Sequence, residues 1–186
     1  LMERLFNAVQ LMLSKTRGAL FYAVMFVSTI FAAATGIVGA SVTILGIMAG
    51  KTMIRSGYDT RLSAGLICAG GTLGILIPPS IMLVIMGDQV RISVGDLFMG
   101  AVFPGLLLGL LYTIYIFVYA YMNPKAAPLP KDAEPVSIKI IFRVLKSIIP
   151  PALLIFAVLG SIFMGIATPT EASGVGALGA SLLAII

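Results

Sequence analysis

The sequence predicts an all-α integral membrane protein built on a re-entrant helical hairpin and a broken transmembrane helix. Three observations carry this. Hydrophobic residues make up 60% of the 186-residue chain and charged residues only 10%, whereas a soluble domain is typically about a quarter charged. Several charge-free stretches are long enough for bilayer crossings, which need about 20 residues each. One of them is interrupted at its centre by GTLGILIPPS, Gly71 to Ser80.

The interruption has a direct physical consequence. Pro78 and Pro79 have no N–H, so the carbonyls of Gly74 and Ile75, four residues back, lose their helical partners. In hydrocarbon a bare carbonyl costs several kcal/mol, and irregular backbone at that depth survives only inside protein or beside a cavity. A cation bound at mid-membrane is the usual use for such carbonyls. The pattern is that of a transporter.

The charge-free stretches are Gly18–Gly50, Leu62–Gly87, Leu97–Pro124, Ser147–Thr170 and Ala172–Ile186. The second to fourth each fit one crossing, and the fifth is a crossing that the sequence cuts short. Gly18–Gly50 is too long for one straight span and too short for two full ones with a turn. Thr35-Gly36 and Gly39 at its centre favour a turn, so two half-length helices meeting there form a hairpin that re-enters, over 18–54.

Loop charge tests the hairpin. Arg4, Lys15 and Arg17 outweigh Glu3; Lys51, Arg55 and Arg61 outweigh Asp59; and five basic residues between Lys125 and Lys146 outweigh Asp132 and Glu134. The remaining connections, with Asp88, Arg91 and Asp96 and then Glu171, are net negative. If 18–54 re-enters, every basic cluster falls on one side and both acidic ones on the other, as the positive-inside rule expects. A single span there would scatter them. The net charge of +5 therefore reads as basic cytoplasmic loops rather than a nucleic-acid surface.

The hairpin tip and the centre of the broken helix fall at similar depth, near the bilayer midplane. The expected ion- and substrate-binding positions are Thr35, Gly36, Gly39 and Ser41 on the hairpin with Thr72, Gly74, Ile75, Pro78, Pro79 and Ser80 at the break. Backbone oxygens and hydroxyls are hard ligands suited to Na⁺, with Thr35, Gly36, Thr72 and Gly74 as the expected set. No acidic side chain nearby offers a proton site.

The other segments follow in order. Residues 1–17 place Leu5, Phe6, Val9 and Leu13 on one helical face, as an interfacial amphipathic arm does. Segment 57–96 holds the broken helix and a periplasmic loop. Segment 97–122 is a full span with a possible kink at Pro104, and Tyr112, Tyr115, Tyr119 and Tyr121 gather at its end like an aromatic belt. In 123–147 a Pro-rich linker leads into Lys139, Arg143 and Lys146, spaced to meet anionic lipid. Two spans occupy 148–186, joined by Thr168-Pro169-Thr170-Glu171, which reads as a capping box with Pro at N1. The sequence begins within an amphipathic segment and stops in an apolar run, as an excerpt of a longer protein does.

Enzymatic readings find little support. There is no His and one Cys, so disulfide frameworks and His/Cys metal sites are excluded, and Cys68 is expected to be a small packed residue. An intramembrane protease needs a nucleophile with a base, or a metal. The hydroxyls here are scattered and no span carries paired carboxylates. A purely structural membrane scaffold has no use for a mid-membrane break.

The runs FAAATGIVGASVTILG (Phe31–Gly46), RSGYD (Arg55–Asp59), GTLGILIPPSIMLVI (Gly71–Ile85), ISVGDLFMGAVFPGLLLGL (Ile92–Leu110) and GIATPTEASGVGAL (Gly165–Leu178) together resemble the large membrane subunit, DctM type, of tripartite ATP-independent periplasmic (TRAP) transporters. The resemblance covers essentially the whole chain. It implies an inner-membrane, multi-pass permease that imports small organic anions such as carboxylates and sugar acids, driven by sodium, without a cofactor. It also implies a small membrane subunit and a soluble periplasmic binding protein as partners, and an inverted-repeat architecture working by an elevator motion. In that picture Phe31–Gly46 is the first re-entrant hairpin and Gly71–Ser80 its unwound partner. Relatives often carry Ser-Gly-Ser at the tip where this chain has Thr35-Gly36-Ile37. The first hydroxyl is therefore kept, but the third position has become apolar. Asp88 and Gln89 also depart from the family pattern. The alternative is a sodium/dicarboxylate symporter of related architecture that needs no binding protein.

Overall fold

The structure is a computed structural model, and it describes residues 6, 9–10, 16–128 and 138–185. Every regular element among them is helical. Helix α1 (Ala19–Thr35) turns at Gly36-Ile37 into α2 (Val38–Leu45), which continues through a π-helical turn (Gly46–Gly50) into α3 (Lys51–Arg55). Helices α4 (Thr60–Leu76) and α5 (Ile81–Val90) are the two halves of the broken helix, followed by α6 (Val94–Met122), α7 (Ile138–Phe163) and α8 (Pro169–Ile185). By length and composition two stretches among the described residues suffice to cross a bilayer: Thr60–Val90, which takes in the break, and Val94–Met122.

The hairpin wraps α4. Glycines let both legs come close: a Cβ on Gly70 would collide with Ser28 of α1, and one on Gly71 with Val42 of α2. Adjacent glycines inside a helix cost about 1 kcal/mol each against Ala, so their place here is explained by the approach of the two legs. Phe21, Met25, Leu45, Met53, Leu66, Leu73 and Ile116 close the core between hairpin, α4 and α6. Phe6 and Val9 of the amphipathic arm are buried in this core, so this part of the arm packs beside the hairpin. Leu5 and Leu13 lie outside the described residues.

The base of the hairpin is tied to two other segments. The Leu20 N–H donates to the Tyr58 hydroxyl at 3.4 Å, and the Phe21 ring meets Tyr58 edge-on at 4.8 Å. The Asp59 N–H donates to the Ala126 carbonyl at 3.1 Å, and Ala127 is fully buried. Arg17, Arg55 to Arg61 and Lys125 thus share one end of the bundle. At the other end Phe98, Ile162 and Ala172 pack together, which gathers the loops that carry Arg91 and Thr168. Among the described residues the segments around Arg17, Arg55 to Arg61 and Lys125 thus lie away from those that carry Asp88 and Glu171.

Several boundaries differ from expectation. The first leg, α1, has 17 residues, about 25 Å, and the return leg runs to Arg55, one residue past the expected 18–54. Helical hydrogen bonding carries the return leg past the charge-free stretch, through Lys51 to Arg55. Helix α7 is continuous from Ile138, so the basic segment and the following span are one element, where a boundary was expected at 147/148. It even runs through Pro150-Pro151. That pair deprives Lys146 and Ser147 of donors at the start of the apolar stretch, whereas Pro78-Pro79 does so at mid-stretch. Helix α6 starts at Val94 and runs unbroken through Pro104. The Pro-rich linker beyond Pro128 lies outside the described residues, as do the side chains of Lys139, Arg143 and Lys146.

Candidate ion and substrate site

The hairpin tip is stapled by hydroxyls. Thr35 Oγ1 lies 3.1 Å from the Phe31 carbonyl and 2.7 Å from Ser41 Oγ, and Ser41 Oγ donates to the Ile37 carbonyl at 2.8 Å. With Ser41's proton committed to Ile37, Thr35 supplies the proton to Ser41 or to Phe31 and keeps its lone pairs for an acceptor role. The turn itself needs Gly36, whose φ is +61°. A Cβ there would sit 2.6 Å from the Pro79 carbonyl oxygen and 3.4 Å from Ser80 Cα. The tip therefore rests on the break, backbone against backbone.

The break is as abrupt as the proline pair demands. Helix α4 ends at Leu76, with the Ile77 N–H donating to the Leu73 carbonyl at 2.8 Å. The next two residues are prolines, so no helical donor follows for Gly74 or Ile75. Ser80 precedes α5 without forming a side-chain cap. Its hydroxyl is buried and has no hydrogen-bond partner among the described residues. A buried, unpaired hydroxyl costs about 1–3 kcal/mol.

Beside the junction lies a cavity of about 430 Å³. Thr35, Pro79 and Ser80 form one wall, and Phe98, Val158, Ile162 and Ser173 belong to the others. No charged side chain lines it, and among the described residues no group of His, Cys, Asp or Glu is placed to hold a metal ion. The electrostatics come from backbone instead. Neither α2 nor α5 has a side-chain cap at its start, so the first-turn N–H groups of both present partial positive charge at the tip and the break.

The expected residues divide. Thr35, Gly36, Ser41, Pro78, Pro79 and Ser80 come together, and Gly74 is buried in the last turns of α4. The tip meets Pro79 and Ser80. Thr72 is not at the junction: its side chain is exposed and donates to the Ala69 carbonyl at 2.7 Å. Gly39 has open space around its Cβ position, and the Ile75 side chain faces outward at 39% exposure. Cys68, expected to be packed, is exposed; it lies on the α4 face turned away from the hairpin, which an apolar run cannot distinguish from the inner face. Thr168 and Glu171 form the expected capping box. Glu171 Oε2 accepts from the Thr168 N–H at 2.8 Å, and Thr168 Oγ1 accepts from the Glu171 N–H at 3.4 Å. Sequence reasoning missed the far wall from α7 and α8, because nothing local in those helices marks which face meets the tip. It also missed Ser28 and Val42, for which the Gly70-Gly71 pair was an available signal.

Among the described residues the fold is all-helical, consistent with a membrane protein, and it is organised around a helix break where hydroxyls and backbone groups meet. The chain belongs to the DctM component family of the tripartite ATP-independent periplasmic transporters, which it matches over residues 1–186. It is 37% identical to the C4-dicarboxylate TRAP transporter large permease protein DctM of Pseudomonas aeruginosa, over 98% of this chain and 42% of that protein. It is 40% identical to the permease protein of the same name from Vibrio cholerae, over 87% of this chain and 35% of that protein. It is 32% identical to the isethionate TRAP transporter permease protein DctMQ of Oleidesulfovibrio alaskensis, over 95% of this chain and 27% of that protein. The chain thus spans less than half the length of these curated relatives, which are transporter permeases and not enzymes.

Proposed function

We propose that this chain is part of the inner-membrane permease of a sodium-coupled TRAP transporter, importing small organic anions that a periplasmic binding protein delivers. A small membrane subunit completes the complex. Na⁺ sits between the hairpin tip and the break, held by hydroxyl and carbonyl oxygens around Thr35, Gly36, Gly74 and Ser80. The observation that carries this reading is the buried, partnerless Ser80 hydroxyl where Gly36 touches Pro79. Oxygen-only donors without a formal charge suit a monovalent hard cation better than a transition metal. Thr72, exposed and satisfied by Ala69, is not part of this set.

The substrate's acidic group is met by the free N–H groups at the starts of α2 and α5 and by hydroxyls, the usual anion chemistry of helix N-termini. Sodium joining tip to break completes this anion site, which couples the two. The relatives' names, C4-dicarboxylate and isethionate, share an acidic group and differ in the rest, in keeping with a site that grips the anion. The hairpin with α4 then moves as one unit against α7 and α8 in an elevator cycle.

The test is uptake by the complete transporter in liposomes under a sodium gradient, with Pro78-Pro79 replaced by Ala-Ala. Restored N–H donors fuse α4 to α5, and both uptake and sodium affinity are expected to fall at least tenfold, while elution and melting stay as in the wild type. Unchanged sodium affinity in that variant overturns the reading. Uptake without the binding protein would instead indicate the binding-protein-independent symporter.

A further inference from the structure

The outward seam between α1 and α6 holds a groove that plays no part in the site at the tip. Two cavities of about 370 and 380 Å³ lie along it and share Tyr22. The first lies at the basic base, among Arg17, Phe117 and Tyr121. The second follows the seam upward past Met25 and Leu110 to Leu106. Tyr22 and Phe117, with ring centroids 6.4 Å apart, mark the join.

The groove changes character along its length. At the base it offers the exposed Arg17 guanidinium beside Tyr121, which is 81% exposed. Above Tyr22 it offers hydrocarbon. Even its hydroxyls are turned inward, Thr29 to the Met25 carbonyl at 2.9 Å and Thr113 to the Gly109 carbonyl at 2.8 Å. From Tyr121 to Leu110 the seam runs about 16 Å along α6, close to one leaflet of a roughly 30 Å hydrocarbon core.

We propose that this seam is a binding site for an anionic phospholipid of the leaflet that meets the basic base. Its phosphate pairs with Arg17, the Tyr121 phenol sits at headgroup depth, and one acyl chain lies between α1 and α6 up to Leu110. Charge complementarity selects the occupant: Arg55, Arg61 and Lys125 share the same end of the bundle, and each basic residue near the surface favours anionic lipid. A transmembrane helix of a partner is the poorer fit. Close helix packing in lipid wants a free stripe of small residues; here Gly109 and Ala120 are already packed against Thr29 and Gly18, and the exposed α6 wall presents Leu106, Leu110, Phe117 and Tyr121.

Native mass spectrometry of the complete permease complex, loaded with phosphatidylglycerol or phosphatidylcholine, tests this. The wild type is expected to retain phosphatidylglycerol preferentially and to melt higher in its presence, a result that needs no variant. Arg17→Gln lowers phosphatidylglycerol occupancy about fivefold and leaves phosphatidylcholine alone, while Thr113→Phe fills the apolar part and lowers both. Equal retention of the two lipids by the wild type overturns the proposal. So does efficient crosslinking of a Leu110→Cys variant to a helix of a partner subunit.

Discussion

Two residues make the junction what it is. Gly36 is required twice over, by its φ of +61° and by the Pro79 carbonyl 2.6 Å from where a Cβ would stand. Left-handed backbone costs a non-glycine residue roughly 1–2 kcal/mol, and the contact is with backbone, which cannot swing aside. Gly36→Ala is therefore expected to lift the tip off the break and cut sodium-driven uptake at least tenfold in reconstituted transporter. Ser80 behaves in the opposite way. Its hydroxyl has no partner to lose, so Ser80→Ala leaves melting unchanged or slightly raised in sodium-free buffer. The same variant needs about tenfold more sodium for half-maximal uptake. A normal sodium requirement would remove Ser80 from the ion site.

At the scale of elements, the hairpin is held at its base as well as its tip. Tyr58 is buried at 4% exposure, and burial, with Tyr22 adding to it, raises its phenol above the usual tyrosine range, against the opposing hydrogen bond from the Leu20 N–H. A raised pKa here means that the folded state holds the proton more tightly than the unfolded chain does. The resulting stability is present below about pH 10 and is lost as pH rises through the folded value. Melting of the wild type should thus drop more steeply above pH 10 than that of Tyr58→Phe. At neutral pH the variant melts a few degrees lower, having lost the acceptor for Leu20. At α8, Thr168→Val removes the cap and lowers melting with uptake unchanged.

These elements also show what a sequence can reveal. The break at Pro78-Pro79, the turn at Gly36 and the Thr168–Glu171 cap were legible, because each rests on a local rule about backbone donors or φ. The net charge of each connection was legible because charge counts by connection, not by face. The faces of α4 were not. Cys68 and Thr72 point outward and Gly70 and Gly71 inward, a choice made by the hairpin legs that arrive from far along the chain. Nor was the clasp at Tyr58, since its meaning depends on Leu20 and Phe21 lying beside it in space. The α7–α8 wall of the cavity was hidden for the same reason.

For the whole molecule, the hairpin, α4 and α6 form one interlocked body. Helices α7 and α8 close the far side of the cavity. Among the described residues the segments around Arg17, Arg55 to Arg61 and Lys125 lie at one end and those of Asp88 and Glu171 at the other, and the proposed topology puts the first end in the cytoplasm. Single cysteines at Arg55 and Lys125, in an otherwise cysteine-free permease, should react with impermeant maleimide only from the cytoplasmic side. Cysteines at Asp88 and Thr170 should react only from the periplasmic side. Labelling of Arg17→Cys from the side opposite to Arg55→Cys would turn the first stretch into a single span and undo the hairpin.

The central claim is that sodium joins the hairpin tip to the broken helix. Hydrogen exchange of the complete permease, compared in sodium and in potassium chloride, measures this at both elements at once. The account predicts that sodium slows exchange together at the amides of Ile37 to Val42 and of Ile77 and Ser80 to Val84, and leaves the base around Tyr58 unaffected. Exchange that is identical in the two salts, or protection at one of the two elements without the other, would contradict it.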